Sequence, residues 1–156
     1  MKQNYFPLVM KSAAVIFAVV TPVLWILHRA LDSSLLLALT ITAGTTCYHF
    51  AMRLSVGYLV PWIAKKPNIQ HPWFRPLGFE AGLYKALKVK RWKDRMPTYA
   101  PENFSLKYHT LEEIIQNMCV SELVHEVIVI FSFVPLLFSE PFDGFWPFLI
   151  TSVLTC

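Results

Sequence analysis

The sequence predicts an all-α integral membrane protein: a helical bundle of three full spans plus a truncated fourth, with a basic cytosolic interfacial segment between spans two and three. Three observations carry this. Of the 156 residues, 55% are hydrophobic and the mean hydropathy is +0.46, and the apolar residues come in long blocks rather than with the helical or strand period of a soluble domain. Ten of the 14 Lys and Arg residues fall between Lys65 and Lys107, which marks that segment as cytosolic by the positive-inside rule. Finally, an open strand in hydrocarbon cannot satisfy its backbone, so apolar blocks of this length must be helices.

The first span is expected over residues 10–28. Ser12 to Leu27 carries no charge, yet reaches only roughly 24 Å at 1.5 Å per residue. It therefore needs its neighbours, or Lys11 reaching to the headgroups. Pro22 should kink it. The N-terminal basic residues suit a secretory signal, but "LHRALDSS" has no small-x-small cleavage site, so the segment reads as a retained span. "HRALDSS" turns the chain back, and the second span follows over 34–62 with His49 and Arg53 inside it.

Between residues 65 and 109 the composition changes to Pro, Trp and basic residues. "KKPNIQHPWFRP" cannot wind regularly against three prolines, whereas "GFEAGLYKALKVKRWKDRMP" reads as one short basic amphipathic helix in the headgroup layer, ended by Pro97. Such basic residues beside apolar spans fit anionic headgroups and not a nucleic acid. Thr110 and Glu113 make a capping box, from which a helix should run unbroken through "VIVIFSFVPLLF"; its membrane part is the third span, 117–138. Glu140, Asp143 and Gly144 form a turn. The last segment, 146–156, has eleven residues, too few for about 30 Å of hydrocarbon, and is read as a truncated span. The whole chain is thus one membrane domain, 1–156, with its N-terminus cytosolic and multi-pass in the cell membrane. Cys47, Cys119 and Cys156 have no paired spacing and form no disulfide framework.

The chemistry lies in two polar stripes. Thr45, His49 and Arg53 follow an i, i+4 line on the second span; Asn117, Ser121 and His125 do so on the third, with Glu122 beside them. Antiparallel spans put both at a similar inner depth, so the stripes are expected to face each other. Arg53 also suits a bland role, reaching to headgroups, His49 a helix-helix hydrogen bond, and Glu126 a solvated or helix-paired carboxylate. Glu122 and His125 are costly inside a span and mark a site. In the loop, Arg91, Trp92, Lys93 and Arg95 would anchor headgroups, while Asp94 lowers the positive charge that anchoring alone favours and can fix an arginine for a specific partner.

"KVKRWKDRMP", "LEEIIQNMCVSELVHE" and "FSFVPLLF" together resemble the small membrane proteins known as glycosyl-4,4'-diaponeurosporenoate acyltransferases, the last enzymes of staphyloxanthin-type carotenoid synthesis. The likeness covers most of the chain from Gly78 onward. Where many members carry an aromatic after the histidine, this chain has Glu126, and a basic tail found in the family does not follow Cys156. The resemblance implies membrane acyl transfer from an acyl thioester donor to a lipid-like acceptor, a glycosylated isoprenoid or carotenoid.

Acyl transfer to a hydroxyl needs a base, donors for the oxyanion, and cations for an anionic acyl carrier. His125 oriented by Glu122 would be the base, with His49 as rival; Arg53 or Asn117 would steady the oxyanion; Arg91, Lys93 and Arg95 would hold donor phosphates. No cofactor is called for beyond the thioester as co-substrate. Two other classes stand beside this one: a non-catalytic lipid-binding or assembly protein, and an intramembrane metalloenzyme using Glu122, His125 and His49.

Overall fold

The computed structural model describes residues 5–64, 67–75, 77–92, 100–138 and 145–155. Every element of regular structure among them is helical. Three helices are long and apolar enough to cross a membrane: Phe6–Leu31, Ser34–Ile63 and Leu111–Phe138.

Helix α1 (Phe6–Leu31) and helix α2 (Ser34–Ile63) form an antiparallel hairpin. The turn is shorter than the sequence suggested, because "HRAL" stays helical and only Asp32 and Ser33 lie between the helices. Asp32 adopts the left-handed conformation (φ 45°, ψ 43°) and its N–H closes the end of α1 on the His28 carbonyl. The His28 ring meets the Ser33 carbonyl at 3.0 Å. Stacked Phe17 and Phe50 rings, 6.4 Å apart, hold the hairpin together. At Gly44 an added Cβ would stand 3.4 Å from Thr21 Cγ2, so the two helices approach closely there.

α2 is the central element and packs on α1 and on the later helices Leu111–Ser132 and Phe145–Thr155. Its buried face is Thr40, Ile41, Ala43, Thr45, His49, Met52 and Val56. The polar members are tolerable largely because their hydroxyls turn back on the helix itself: Thr40 Oγ1 donates to the Leu36 carbonyl at 2.7 Å and Thr45 Oγ1 to the Ile41 carbonyl at 2.8 Å, leaving carbon on the packed surface. Outward, α1 presents Val15, Ile16, Val19, Val23 and Ile26, an apolar surface that water would not favour and lipid does.

The basic segment departs from expectation. Instead of one amphipathic helix there are two short ones, α3 (Glu80–Ala86) and α4 (Val89–Trp92). They are separated by Leu87 and a left-handed Lys88 at φ 50°. α3 has no buried residue, so no packed face compels the helix to continue. The expected stop at Pro97 lies outside the described residues.

α5 (Leu111–Ser132) begins at the expected capping box: Thr110 Oγ1 accepts from the Glu113 N–H and Glu113 accepts from the Thr110 N–H. It does not run unbroken. At Phe133 the winding tightens to a 3₁₀ turn over Val134–Phe138, because Pro135 has no N–H to give the carbonyl four residues back, that of Phe131. The Tyr48 hydroxyl of α2 donates to that carbonyl at 2.9 Å instead. α6 (Phe145–Thr155) is eleven residues long, roughly 16 Å, and buries Phe148 and Ser152. The Glu140–Asp143–Gly144 turn lies outside the described residues.

Candidate functional site

The bond from Tyr48 to the Phe131 carbonyl fixes the register of α2 against α5. Five residues further along α2 is Arg53, and five residues back along α5 is Glu126; each lies about 7.5 Å from that level by helical rise. Arg53 and Glu126 thus share a depth in the bundle, with His49 one turn away. Among the described residues no ion pair joins Arg53 to Glu126. The Trp73 indole N–H, from the loop after α2, donates to both Glu126 carboxylate oxygens at 2.9 and 3.0 Å.

His49 is 1% exposed. Neither of its ring nitrogens has a hydrogen-bond partner, nor does the buried Nε of Arg53. The Tyr48 ring meets the His49 ring edge-on, centroids 5.4 Å apart. On the side of Tyr48 away from His49 along α2 opens a chamber of about 510 Å³. Its walls include Trp25 of α1, Gly44 and Tyr48 of α2, Pro135 and Phe138 beyond α5, and Phe148 of α6.

His125 and Glu122 stand elsewhere. Ile115, Met118, Glu122, His125 and Val129 recur at helical spacing and all are exposed, so they form the outward face of α5. The His125 Nδ1 is bonded to the Ser121 carbonyl at 2.6 Å. A carbonyl only accepts, so Nδ1 carries the proton, and in the neutral ring Nε2 is left as the acceptor. The expected Glu122–His125 contact does not form: Ser121, not Glu122, orients the ring. The two stripes are not brought face to face, since His49 is buried and His125 is exposed.

The remaining expected residues divide in the same way. Asn117 donates through Nδ2 to the Asn103 carbonyl at 2.8 Å, pinning the 3₁₀ turn Pro101–Phe104 against α5. Arg91 is exposed on α4 and Trp92 ends that helix, whereas Lys93, Asp94 and Arg95 lie outside the described residues. Among the described residues no three His, Cys, Asp or Glu side chains gather as a metal site would require; Glu122, His125 and His49 are not such a set.

A family model described as glycosyl-4,4'-diaponeurosporenoate acyltransferase matches residues 70–156, more than half of the chain. The chain belongs to this family. No curated protein and no solved structure matches. The match begins beyond α2, so it takes in Trp73, the α3–α4 segment, Glu122, His125 and α6, while Arg53, His49 and most of the chamber wall precede it. Membership in the glycosyl-4,4'-diaponeurosporenoate acyltransferase family makes the chain an acyltransferase relative of carotenoid biosynthesis.

Two members of the polar layer lie outside the expected stripes, Glu126 and Tyr48. Glu126, which reads as a solvated or helix-paired carboxylate, accepts from the Trp73 indole fifty-three positions away, and nothing local in the sequence signals that pairing. Tyr48 is the second: its hydroxyl answers the Phe131 carbonyl that Pro135 leaves without a donor.

Proposed function

We propose that the chain is a membrane acyltransferase that moves a fatty acyl group from a thioester donor to a hydroxyl of a glycosylated isoprenoid acceptor, with His125 as general base. The observation that carries the reading is the tautomer set by Ser121: Nδ1–H is committed to a backbone carbonyl, and Nε2 is an acceptor on an exposed face. Nε2 would take the hydroxyl proton as the oxygen attacks the thioester carbon. The tetrahedral oxyanion then collapses, the carbon–sulfur bond breaks, and the thiolate recovers the proton from the imidazolium. Glu122 lies one turn before His125 on the same exposed face of α5. Arg91, with Lys93 and Arg95, supplies cations for the phosphates of an anionic acyl carrier. With Asn117 engaged to Asn103, Arg53 is the expected oxyanion donor whose buried Nε has no partner.

Purified protein in lipid, given an acyl-coenzyme A and a glycosylated isoprenoid, should yield a product heavier by one acyl group in lipid mass spectrometry. Folded protein that gives no such product with any chain length would overturn the reading. A lipid-binding or assembly role is the second reading, favoured by Asn117, Glu126 and Tyr48, each of which ties one element to another.

The segment 65–109 is proposed to face the cytosol, the N-terminus with it. In a background without native cysteines, Asn68→Cys should react with an impermeant maleimide only after cells are opened. Labelling of intact cells would reverse the topology.

A further inference from the structure

Three charged residues from three helices stand at one level of the bundle. Arg53 of α2 and Glu126 of α5 share a depth through the bond from Tyr48 to the Phe131 carbonyl. On α1, Thr21 lies against Gly44, Phe17 stacks on Phe50, and the Ala14 carbonyl meets Cys47 Sγ at 3.7 Å. Carried on along the antiparallel pair, these contacts put Lys11 within about one turn of Arg53.

On one side of this level the helices carry almost no charge. No Asp, Glu, Lys or Arg occurs from Ser12 to His28, from Ser34 to Met52 or from Val127 to Phe138. The rise from Arg53 back to Ser33, where the hairpin turns, is about 30 Å at 1.5 Å per residue, the thickness of a hydrocarbon core. On the other side charge returns, since Glu112, Glu113 and Glu122 all precede Glu126 on α5. Trp73 marks the same level independently. The loop after α2 turns back along the bundle by about 15 Å, from the level of Ile63 to that of Arg53, and there sets an indole that is 62% exposed on Glu126. An exposed indole with its N–H bonded suits the seam between hydrocarbon and headgroups.

His125 precedes Glu126 by one residue and faces outward, so its ring stands at this seam, on the headgroup side. One and two turns along the same face toward the hydrocarbon are Val129 and Phe133, 44% and 43% exposed. The outer face of α5 thus offers a proton acceptor at headgroup depth and bare carbon below it, the same order of polarity as a lipid lying beside the helix.

We propose that the hydrocarbon boundary runs at the level of Lys11, Arg53 and Glu126, and that His125 takes its acceptor sideways from the leaflet. The acceptor keeps its tail in the bilayer against Val129 and Phe133 and holds its hydroxyl-bearing head in the headgroup layer at Nε2. Lifting it out would expose its tail to water at a cost that grows with every methylene, and lateral entry avoids that cost. The hydroxyl at His125 rests on the acyl-transfer reading; the boundary does not.

The boundary is tested without turnover. In the full chain without native cysteines, held in phosphatidylglycerol nanodiscs, nitroxides are placed singly at the exposed positions Tyr58, Met118, Val129 and Ile130. Power saturation should show Tyr58 and Met118 relaxed more by a water-soluble nickel chelate and Val129 and Ile130 more by oxygen, which concentrates in hydrocarbon. Oxygen dominance at Tyr58 and Met118 as well would extend the hydrocarbon over 34–62 and 117–138 and overturn the proposal. Lateral entry is tested by acyl transfer in the same nanodiscs. Val129→Asp should raise the acceptor mole fraction needed for half-maximal rate by on the order of tenfold, the equivalent of roughly two methylenes of lost burial. Val129→Asn, which adds no charge, should shift it the same way by less, and Ile115→Asp, on the same face beyond the boundary, should leave it unchanged. Unmoved half-saturation in both Val129 variants would overturn lateral entry. So would a tail-free methyl glycoside acylated as efficiently as the lipid acceptor. If the nitroxides report the predicted depths but no acyl product forms, the boundary stands and the transferase reading falls; product formation with Tyr58 and Met118 in hydrocarbon gives the reverse.

Discussion

His125→Ala should lower acyl transfer by about two to four orders of magnitude, the usual loss on removing a general base, while folded protein is recovered in similar amount. The second half follows from position. His125 is on the exposed face of α5, and its one hydrogen bond is to a carbonyl within its own helix, so truncation opens no cavity and orphans no buried donor. Glu122→Gln should cost far less, because Glu122 is not the group that orients the ring; the Ser121 carbonyl is. Initial rates with acyl-coenzyme A and glycosylated isoprenoid, on variants matched for folded protein by size-exclusion chromatography, separate these outcomes. Parental turnover in His125→Ala would remove the proposed base and pass the role to His49. Loss of folded protein in the same variant would favour the assembly reading instead.

The parts of this arrangement that the sequence made legible are those governed by local rules. Apolar length placed α1 and α2, and Thr110 with Glu113 placed the start of α5, because span length and capping depend only on neighbours along the chain. Faces were harder. α5 carries apolar residues around its whole circumference, so no amphipathic stripe tells which side of it meets α2, and the shared depth of the Asn117–Ser121–His125 and Thr45–His49–Arg53 lines is the only ground for expecting them to face each other. The structure turns His125 outward and gives the level opposite Arg53 to Glu126. That register hangs on Pro135 freeing the Phe131 carbonyl for Tyr48. The proline was visible, yet which donor would answer it depends on tertiary packing. The same holds for Trp73 on Glu126 and Asn117 on Asn103, where loop segments fold back onto α5.

The second large effect concerns stability and has the opposite sign from most substitutions in a core. His49→Leu should stabilise the bundle. The imidazole is wholly buried and its two nitrogens lack partners; each unsatisfied buried group costs about 1–3 kcal/mol, and an apolar group of similar shape removes that cost without breaking any bond. Leucine is branched where histidine is ringed, so imperfect packing against the Tyr48 ring takes back part of the gain. A net gain of 1 kcal/mol raises the midpoint of a chain this long by about 2–4 °C, read in thermal melts of the purified protein in nanodiscs. His49→Asn should go the other way, since it keeps an unsatisfied polar group and adds a void. If His49→Leu melts lower than the parent, the imidazole is bonded within the bundle and its nitrogens are not orphaned.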